Sequence, residues 1–461
     1  MQKSKLEGKD REESGASSSG RSGGVQRLFA REKLRPGPGL PAAEVALHQK
    51  RRIRAALIEL VADGGAESVT VRTLSRNAGV SSRTFYAHFN GVDHSVAISV
   101  DWILAEIAAR AKARQSTRAD WRDRIRTMVD STMESFAADP ATARVALVDA
   151  AAAGPEARRV VSGSAVSFEE LITCCLESTG RRVPTPRHLI GGMAAGLLHV
   201  ARQTTMEGRV SELPGLASQL SDWLVSLPAP EVLFLRAGSR RASPSLPVRA
   251  AEETRRPAGT DAFDERQRLM RASVRLALRG GFRSLSGARI RAEASVSRKR
   301  FDSYFSGATD CFLQAIDSSA SALILRICRE AEDSRSWERA VYRTVQALSA
   351  WASSNKDVAA LLLTGVLEPG RPGLITRESL IHRTGKALGQ TATPEDERRG
   401  LGAEASVAAI WHIAQADLLT GRAGALPGVA PLLSYVLLAP ILGAPATVEQ
   451  VLDADALVRN R

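Results

Sequence analysis

Between Val71 and Asn90 the sequence carries Arg72, Arg76 and Arg83 and no acidic residue. Hydrogen-bonding side chains are interleaved with them: Ser82, Thr84, Tyr86 and His88. Between Gly287 and Ser306 a second stretch carries Arg289, Arg291, Arg298, Lys299 and Arg300 against Glu293 and Asp302. Each stretch has a net charge of +3. Cations with few compensating acids, set beside hydroxyl and aromatic groups, suit a polyanion whose phosphates they neutralise. Catalytic patterns do not occur: there is no P-loop, GxSxG or HExxH, and no Cys/His cluster at zinc spacing. The expectation is a protein that is not an enzyme, with no metal and no cofactor.

Such side chains act together only if the chain holds them on one face. Phe85 and Phe89 are four apart and share a buried helix face, which leaves Ser82, Arg83, Thr84 and Tyr86 on or near the exposed one. Ser81 is the expected N-cap, with Val80 outside the helix and Phe85 at its fourth position, a hydrophobic staple. Thr70, Val69 and Leu74 repeat the device one helix earlier. Gly79 supplies the positive φ that the turn between the helices needs. Two short helices joined in this way form a helix-turn-helix, whose second helix lies in the DNA major groove.

The unit occurs twice. Sliding the sequence by 216 positions aligns two helical blocks without a gap. Identities include Arg52/Arg268, Gly64/Gly280, Gly65/Gly281, Ala78/Ala294, Val80/Val296, Ser81/Ser297, Phe85/Phe301 and Phe89/Phe305. The second copy carries both staples, Leu285 with Ile290 around Ser286 and Val296 with Phe301 around Ser297.

The 461 residues are 44% apolar, enough for each part to bury a core, and the net charge of +13 is the footprint of a polyanion partner. Aromatics are only 5%, strand signals are scarce, and Ala, Leu, Arg and Glu recur at helical spacing, so the fold class is all-α. The composition divides the chain into a disordered basic tail (1–45), a first head (46–93, motif about 71–90) and a first helical body (94–228). A Pro/Ser/Arg-rich linker (229–262), a second head (263–309, motif about 287–306), a second body (310–445) and a polar tail (446–461) follow. The four cysteines form no CxxC pair, the N-terminus has no apolar core of a signal peptide, and no long uncharged apolar run occurs. The expected location is the cytoplasm, with no membrane partner.

The segment AALIELVADGGAESVTVRTLSRNAGVSSRTFYAHF resembles the DNA-binding head of TetR-type transcriptional regulators, most specifically in AGVSSRTFYAHF and ESVTVRTLSRNAGV. A similar span in the second copy shares its skeleton, and FAADPATARVALVDAAAAGPEARR looks like the middle of such a protein's effector domain. The resemblance implies an Ω-shaped dimer of three-helix heads on helical bodies that bind a small molecule and dimerise. It also implies that Tyr86 contacts a phosphate and that Arg83 and Thr84 stand where base or phosphate contacts fall. His88 matches a histidine that either touches DNA or packs; Arg72 and Arg76 either reach phosphates or are solvated. The first head has NGVDHSV where the family carries a Lys–acidic pair, and in the second Ser295, Arg300, Asp302 and Tyr304 replace Gly79, Thr84, Tyr86 and His88.

The expectation is therefore two tandem units, each a helix-turn-helix head followed by a helical effector and dimerisation body. Double-stranded DNA is the partner, through Arg72, Ser82, Arg83, Thr84, Tyr86 and His88 of the first head and Arg298, Lys299 and Arg300 of the second. Asp302 is placed to pair with Arg298 one turn back. Trp102, Met128, Met133 and Phe136 either line a pocket for an unknown small-molecule effector or pack the core. GGMAAG at Gly191–Gly196 reads as close helix packing. Pairing of PRHLIGGMAAGLLHVARQTTM and LPGLASQLSDWLVSL with EASVAAIWHIAQADLLT and LPGVAPLLSYVLLAPIL would give an intrachain pseudo-dimer, and pairing between chains a homodimer. A ligand-responsive repressor follows, against two rivals: a non-specific architectural DNA binder, and a sensing or protein-interaction module whose second head no longer reads DNA.

Overall fold

The computed structural model describes residues 41–150, 154, 156–157, 165–177, 183, 185–228, 261–332, 336–392 and 397–459. The expected basic tail (1–45) and linker (229–262) lie outside the described residues up to 40 and from 229 to 260; their last residues, 42–45 and 261–262, instead begin helices. Every described element is helical.

The first half runs α1 Ala42–Gly64, α2 Val71–Ala78, α3 Ser82–Tyr86, α4 Val92–Ala113, α5 Trp121–Ala138 and α6 Pro140–Arg144. A single π-turn, Val145–Asp149, continues α6; α7 Ala165–Leu176, α8 Arg187–Met206 and α9 Leu213–Ser226 follow. The second half runs α10 Asp261–Gly280, α11 Gly287–Ala294, α12 Arg298–Tyr304, α13 Ala308–Glu332, α14 Trp337–Ser354, α15 Lys356–Leu363, α16 Arg371–Ala392, α17 Glu397–Leu419 and α18 Leu426–Leu442. A last helix, α19 Ala444–Arg459, has no counterpart among the described residues of the first half.

The order of helices thus repeats, and so do their neighbours. α5 packs on α9 as α14 packs on α18, α7 on α8 as α16 on α17, and α4 on α5 as α13 on α14. The offset stays at 216 from the heads through α5 and α14, which both start with Trp and span 18 residues. Farther on it becomes 213, where GRVSELPGLASQLS aligns with GRAGALPGVAPLLS.

The two halves share one core. The buried cluster that contains Ile53, Leu104, Phe136 and Leu197 extends to Ile381, Ala408, Ile413 and Tyr435. Its seam is the crossing of α8 with α17, flanked by α9 and α18. The second head has a separate core around Leu269, Ile290, Phe301 and Phe305.

Residues 446–461, expected as a polar tail, belong instead mostly to α19. Val451 and Ala454 are buried, and Asp455 accepts a hydrogen bond from the buried Tyr342 hydroxyl at 2.6 Å. Helical spacing of few but well-placed apolar residues was enough, because α14 and α18 offer a surface to cover. α18 and the turn before it, Ala423–Leu442, form a stretch long and apolar enough to cross a membrane by composition, but 67% of its most apolar window is buried, as in a core helix.

Candidate nucleic-acid interface

Helix α3 of the first head is set by local chemistry. Thr70 and Thr73 cap α2 reciprocally: Thr70 Oγ1 accepts from the Thr73 amide at 3.1 Å, and Thr73 Oγ1 from the Thr70 amide at 3.0 Å. Gly79 ends α2 with φ 61° and ψ 35°, the left-handed geometry that glycine adopts without strain. Ser81 Oγ accepts from the Thr84 amide at 3.0 Å and starts α3. Phe85 and Phe89 are buried, and their rings pack tilted by 36° with centroids 5.5 Å apart. Arg52, seen in the sequence only as a repeated residue, reaches from α1 to donate to the carbonyls of Ala78 at 2.5 Å and Gly79 at 2.6 Å, which clamps the turn.

This leaves a defined outer face. Arg72, Arg76, Ser82 and Arg83 are exposed, and Tyr86 is 59% exposed, unusual for a large aromatic ring. None of the three arginines has an ion-pair partner among the described residues, so their donors face outward unsatisfied. Thr84 is half-buried and its hydroxyl lies 2.9 Å from Ser81 Oγ, so capping already occupies it. His88 turns inward: Nε2 stands 2.8 Å from Gln49 Oε1 on α1. The amide oxygen can only accept, so Nε2 is the donor. Burial, and then Lys50, hold the His88 ring below its ordinary pKa, so it stays neutral. His88 is thus a tie between α1 and the end of α3 and does not share the outer face of Arg83 and Tyr86.

The second head uses the same frame with other side chains. Ser286 and Ser297 cap α11 and α12, and Ser295 takes the left-handed turn with φ 54° and ψ 47°. Tyr304, at the position of His88, donates to Glu265 at 3.2 Å, and Glu265 is at the position of Gln49. The tie survives with both partners exchanged. Its carboxylate also holds Arg300, whose Nε lies 2.7 Å away. Arg298 and Asp302 stand 3.4 Å apart across one helical turn. Arg289 Nη1 donates to the Ser284 carbonyl, and Glu293 faces Arg275 and Arg279. Lys299 is exposed. The second face keeps its basic residues, but several are bound to neighbours.

The head meets the body through α1. Arg54 is buried, with its guanidinium 3.8 Å above the Trp102 ring of α4. Burial, and then Arg51, lower its pKa to about 10. Arg144 of α6 donates to the Ala62 carbonyl and pairs with the buried Asp149 at 3.2 Å. Of the residues read as a pocket lining, Met128, Met133 and Phe136 are sealed in the core, and Trp102 alone is half-buried, beneath Arg54. Cys174, Cys175 and Cys311 are free thiols, and among the described residues no group of His, Cys, Asp and Glu could hold a metal ion.

The model of the bacterial regulatory proteins of the tetR family matches residues 53–91, the stretch that holds α2, α3 and their caps. Three solved structures are similar at low identity. The fatty acid degradation regulator FadR from Bacillus halodurans has 17% identity, covers 42% of this chain and 97% of its own, and has a TM-score of 0.34. FadR from Bacillus subtilis in complex with stearoyl-CoA has 17% identity, covers 38% of this chain and 97% of its own, with a TM-score of 0.34. A tetR-family regulatory protein from Rhodococcus RHA1 has 19% identity, covers 39% and 96%, with a TM-score of 0.32. No curated protein matches the chain. Residues 53–91 are therefore similar to the bacterial regulatory proteins of the tetR family.

Proposed function

We propose that the chain is a DNA-binding transcriptional regulator made of two TetR-like units in tandem, which pair within one chain and present two unlike heads to an asymmetric operator. The observation that carries the DNA-binding part is the outer face of the first head. Arg72, Arg76 and Arg83 lie free around a short capped helix whose Tyr86 ring points to solvent, inside the segment that matches the family model. Free guanidinium groups beside a helix N-terminus suit phosphates, and the side chains of the helix suit base edges. The tandem part is supported by the repeated helix order and by the α8–α17 crossing, which joins the halves through a shared core.

In this reading the first head does the sequence reading and the second mainly grips backbone. Arg300 and Arg298 of the second head are engaged with Glu265 and Asp302, and a carboxylate at Asp302 repels a phosphate. Regulation is steric repression, relieved when a small apolar effector in the first body displaces α4. Trp102 lies under Arg54, so motion of α4 is passed to α1 and the head.

The test is binding to the DNA that flanks the gene for this protein, measured by fluorescence anisotropy against random DNA at physiological salt. Preference for the flanking DNA, lost by about tenfold or more in the Arg83→Ala, Tyr86→Phe double variant, is expected. Equal binding to random DNA means an architectural binder, and unchanged affinity in the double variant rejects the assigned face.

A further inference from the structure

The two faces that meet at the seam are not interchangeable. α8 and α17 approach at backbone contact: a Cβ placed on Gly196 would lie 2.7 Å from the Ala405 carbonyl oxygen and would collide with the Trp223 ring. Trp223 of α9 passes over Gly196 and donates from Nε1 to Ser406 Oγ of α17 at 2.9 Å, a buried bond between the halves. Ser406 Oγ in turn donates to the Val436 carbonyl at 2.8 Å, so the hydroxyl is fully used. At the 213-residue offset of this region, Ser406 corresponds to Met193, Trp223 to Val436, Gly196 to Ala409 and Glu404 to Gly191.

The same asymmetry runs through the charged part of the seam. His199 of α8 is fully buried, 2.6 Å from Glu378 of α16 and 3.3 Å from Glu404 of α17. Arg202 of α8 bonds the Leu147 carbonyl of the π-turn at 2.8 Å and Glu378 at 3.3 Å. Arg377 lies 2.6 Å from Glu378.

We infer that this surface selects an unlike partner: α8 and α9 recognise α17 and α18, and neither face pairs with a second copy of itself. The inference rests on the pseudo-dimer reading above. Carrying the pseudo-two-fold over to like pairs gives the reason. In a pair of two first halves, Met193 takes the place of Ser406 and leaves the buried Trp223 N–H without an acceptor, while Gly191 takes the place of Glu404 beside His199. A buried donor without a partner keeps its full desolvation penalty. In a pair of two second halves, Ala409 brings a Cβ to the place where Gly196 has none, against the Ala405 carbonyl. The side chains decide that the unlike half is the partner, and tethering, which gives each half a high local concentration of the other, favours the one on the same chain.

The experiment uses the full chain with a protease site inserted between residues 236 and 261. The folded protein is cleaved, held until exchange is complete, and weighed by native mass spectrometry. Unlike pairs should exceed each like pair by about tenfold or more, the weight of one buried unpaired donor. Trp223→Phe, which keeps a ring but has no donor, should shift the mixture toward random pairing, and Ser406→Met should do the same. Random pairing by the cleaved wild-type protein overturns the selectivity and leaves the pseudo-dimer intact. Fragments that part into monomers overturn the pseudo-dimer, and the selectivity with it.

Discussion

His199 and His412 occupy equivalent positions on the crossed helices α8 and α17, yet their surroundings favour opposite charge. Burial alone would push His199 down, but Glu378 and Glu404 outweigh it and hold the ring above its ordinary pKa. His412 is half-buried, and desolvation, then Arg377, push it down to about 4. The two equivalent positions on α8 and α17 therefore favour opposite protonation states.

Mild acid should therefore loosen the protein through His412. A histidine that stays neutral in the fold and titrates near 6.5 when unfolded stabilises fully above that value, and its contribution falls as the pH drops toward about 4. At pH 5 the loss is about 2 kcal/mol. His199 has the reverse sign: its contribution is complete below 6.5 and fades only as the pH rises through its raised folded value. Urea unfolding at pH 7 and pH 5 checks this. The wild type should lose about 2 kcal/mol on that step, and His412→Gln should lose clearly less.

Removing the carboxylate at Glu378 should be among the most damaging single changes. Burial would raise Glu378, but His199, Arg377 and Arg202 overcome it and hold the carboxyl far below the usual range. Glu378→Ala leaves the buried His199 and Arg202 and the nearly buried Arg377 without their shared counter-charge, at a cost of about 3–5 kcal/mol. Chemical denaturation measures it; a loss below about 1 kcal/mol means that this cluster does not hold the halves together.

What could be read in the sequence was what neighbours in the chain decide. Ser81, Thr70, Ser286 and Ser297 cap helices because an amide three residues on needs an acceptor, and Phe85 and Phe89 face inward by spacing alone. What could not be read depends on distant partners. His88 and Gln49 are 39 positions apart and meet only after α1 packs on the head. The repeat held a signal for this tie, since the aligned pair Glu265 and Tyr304 changes both residues together. The Glu378 cluster draws on α8, α16 and α17, and no local pattern brings those helices together. α19 was missed because its apolar residues are few, although the surface that it covers makes them sufficient.

The turn of the second head offers a stabilising change. Ser295 is the one non-glycine residue with positive φ among the described residues, at φ 54°, where its counterpart Gly79 has φ 61°. A residue with a Cβ costs about 1 kcal/mol in that conformation. Ser295→Gly should stabilise α11 and α12 by about that amount and Gly79→Ser should weaken α2 and α3 equally. Hydrogen exchange in the two heads reads both.

The two heads should differ most clearly in salt. If Arg72 and Arg83 each neutralise a phosphate, replacing either by Ala should reduce the slope of log affinity against log salt by about 0.9. Arg300 is held by Glu265 and by the ring of Tyr304, so it has less to give to DNA, and Arg300→Ala should change the slope by much less. Asp302→Asn removes a negative charge from the outer face of α12 and releases Arg298, so it should tighten binding to any sequence and steepen the slope. Anisotropy titrations over a salt series separate these outcomes. Equal slopes for Arg83→Ala and Arg300→Ala would mean that both heads hold phosphates alike, and that the pairing of Arg300 with Glu265 yields when DNA arrives.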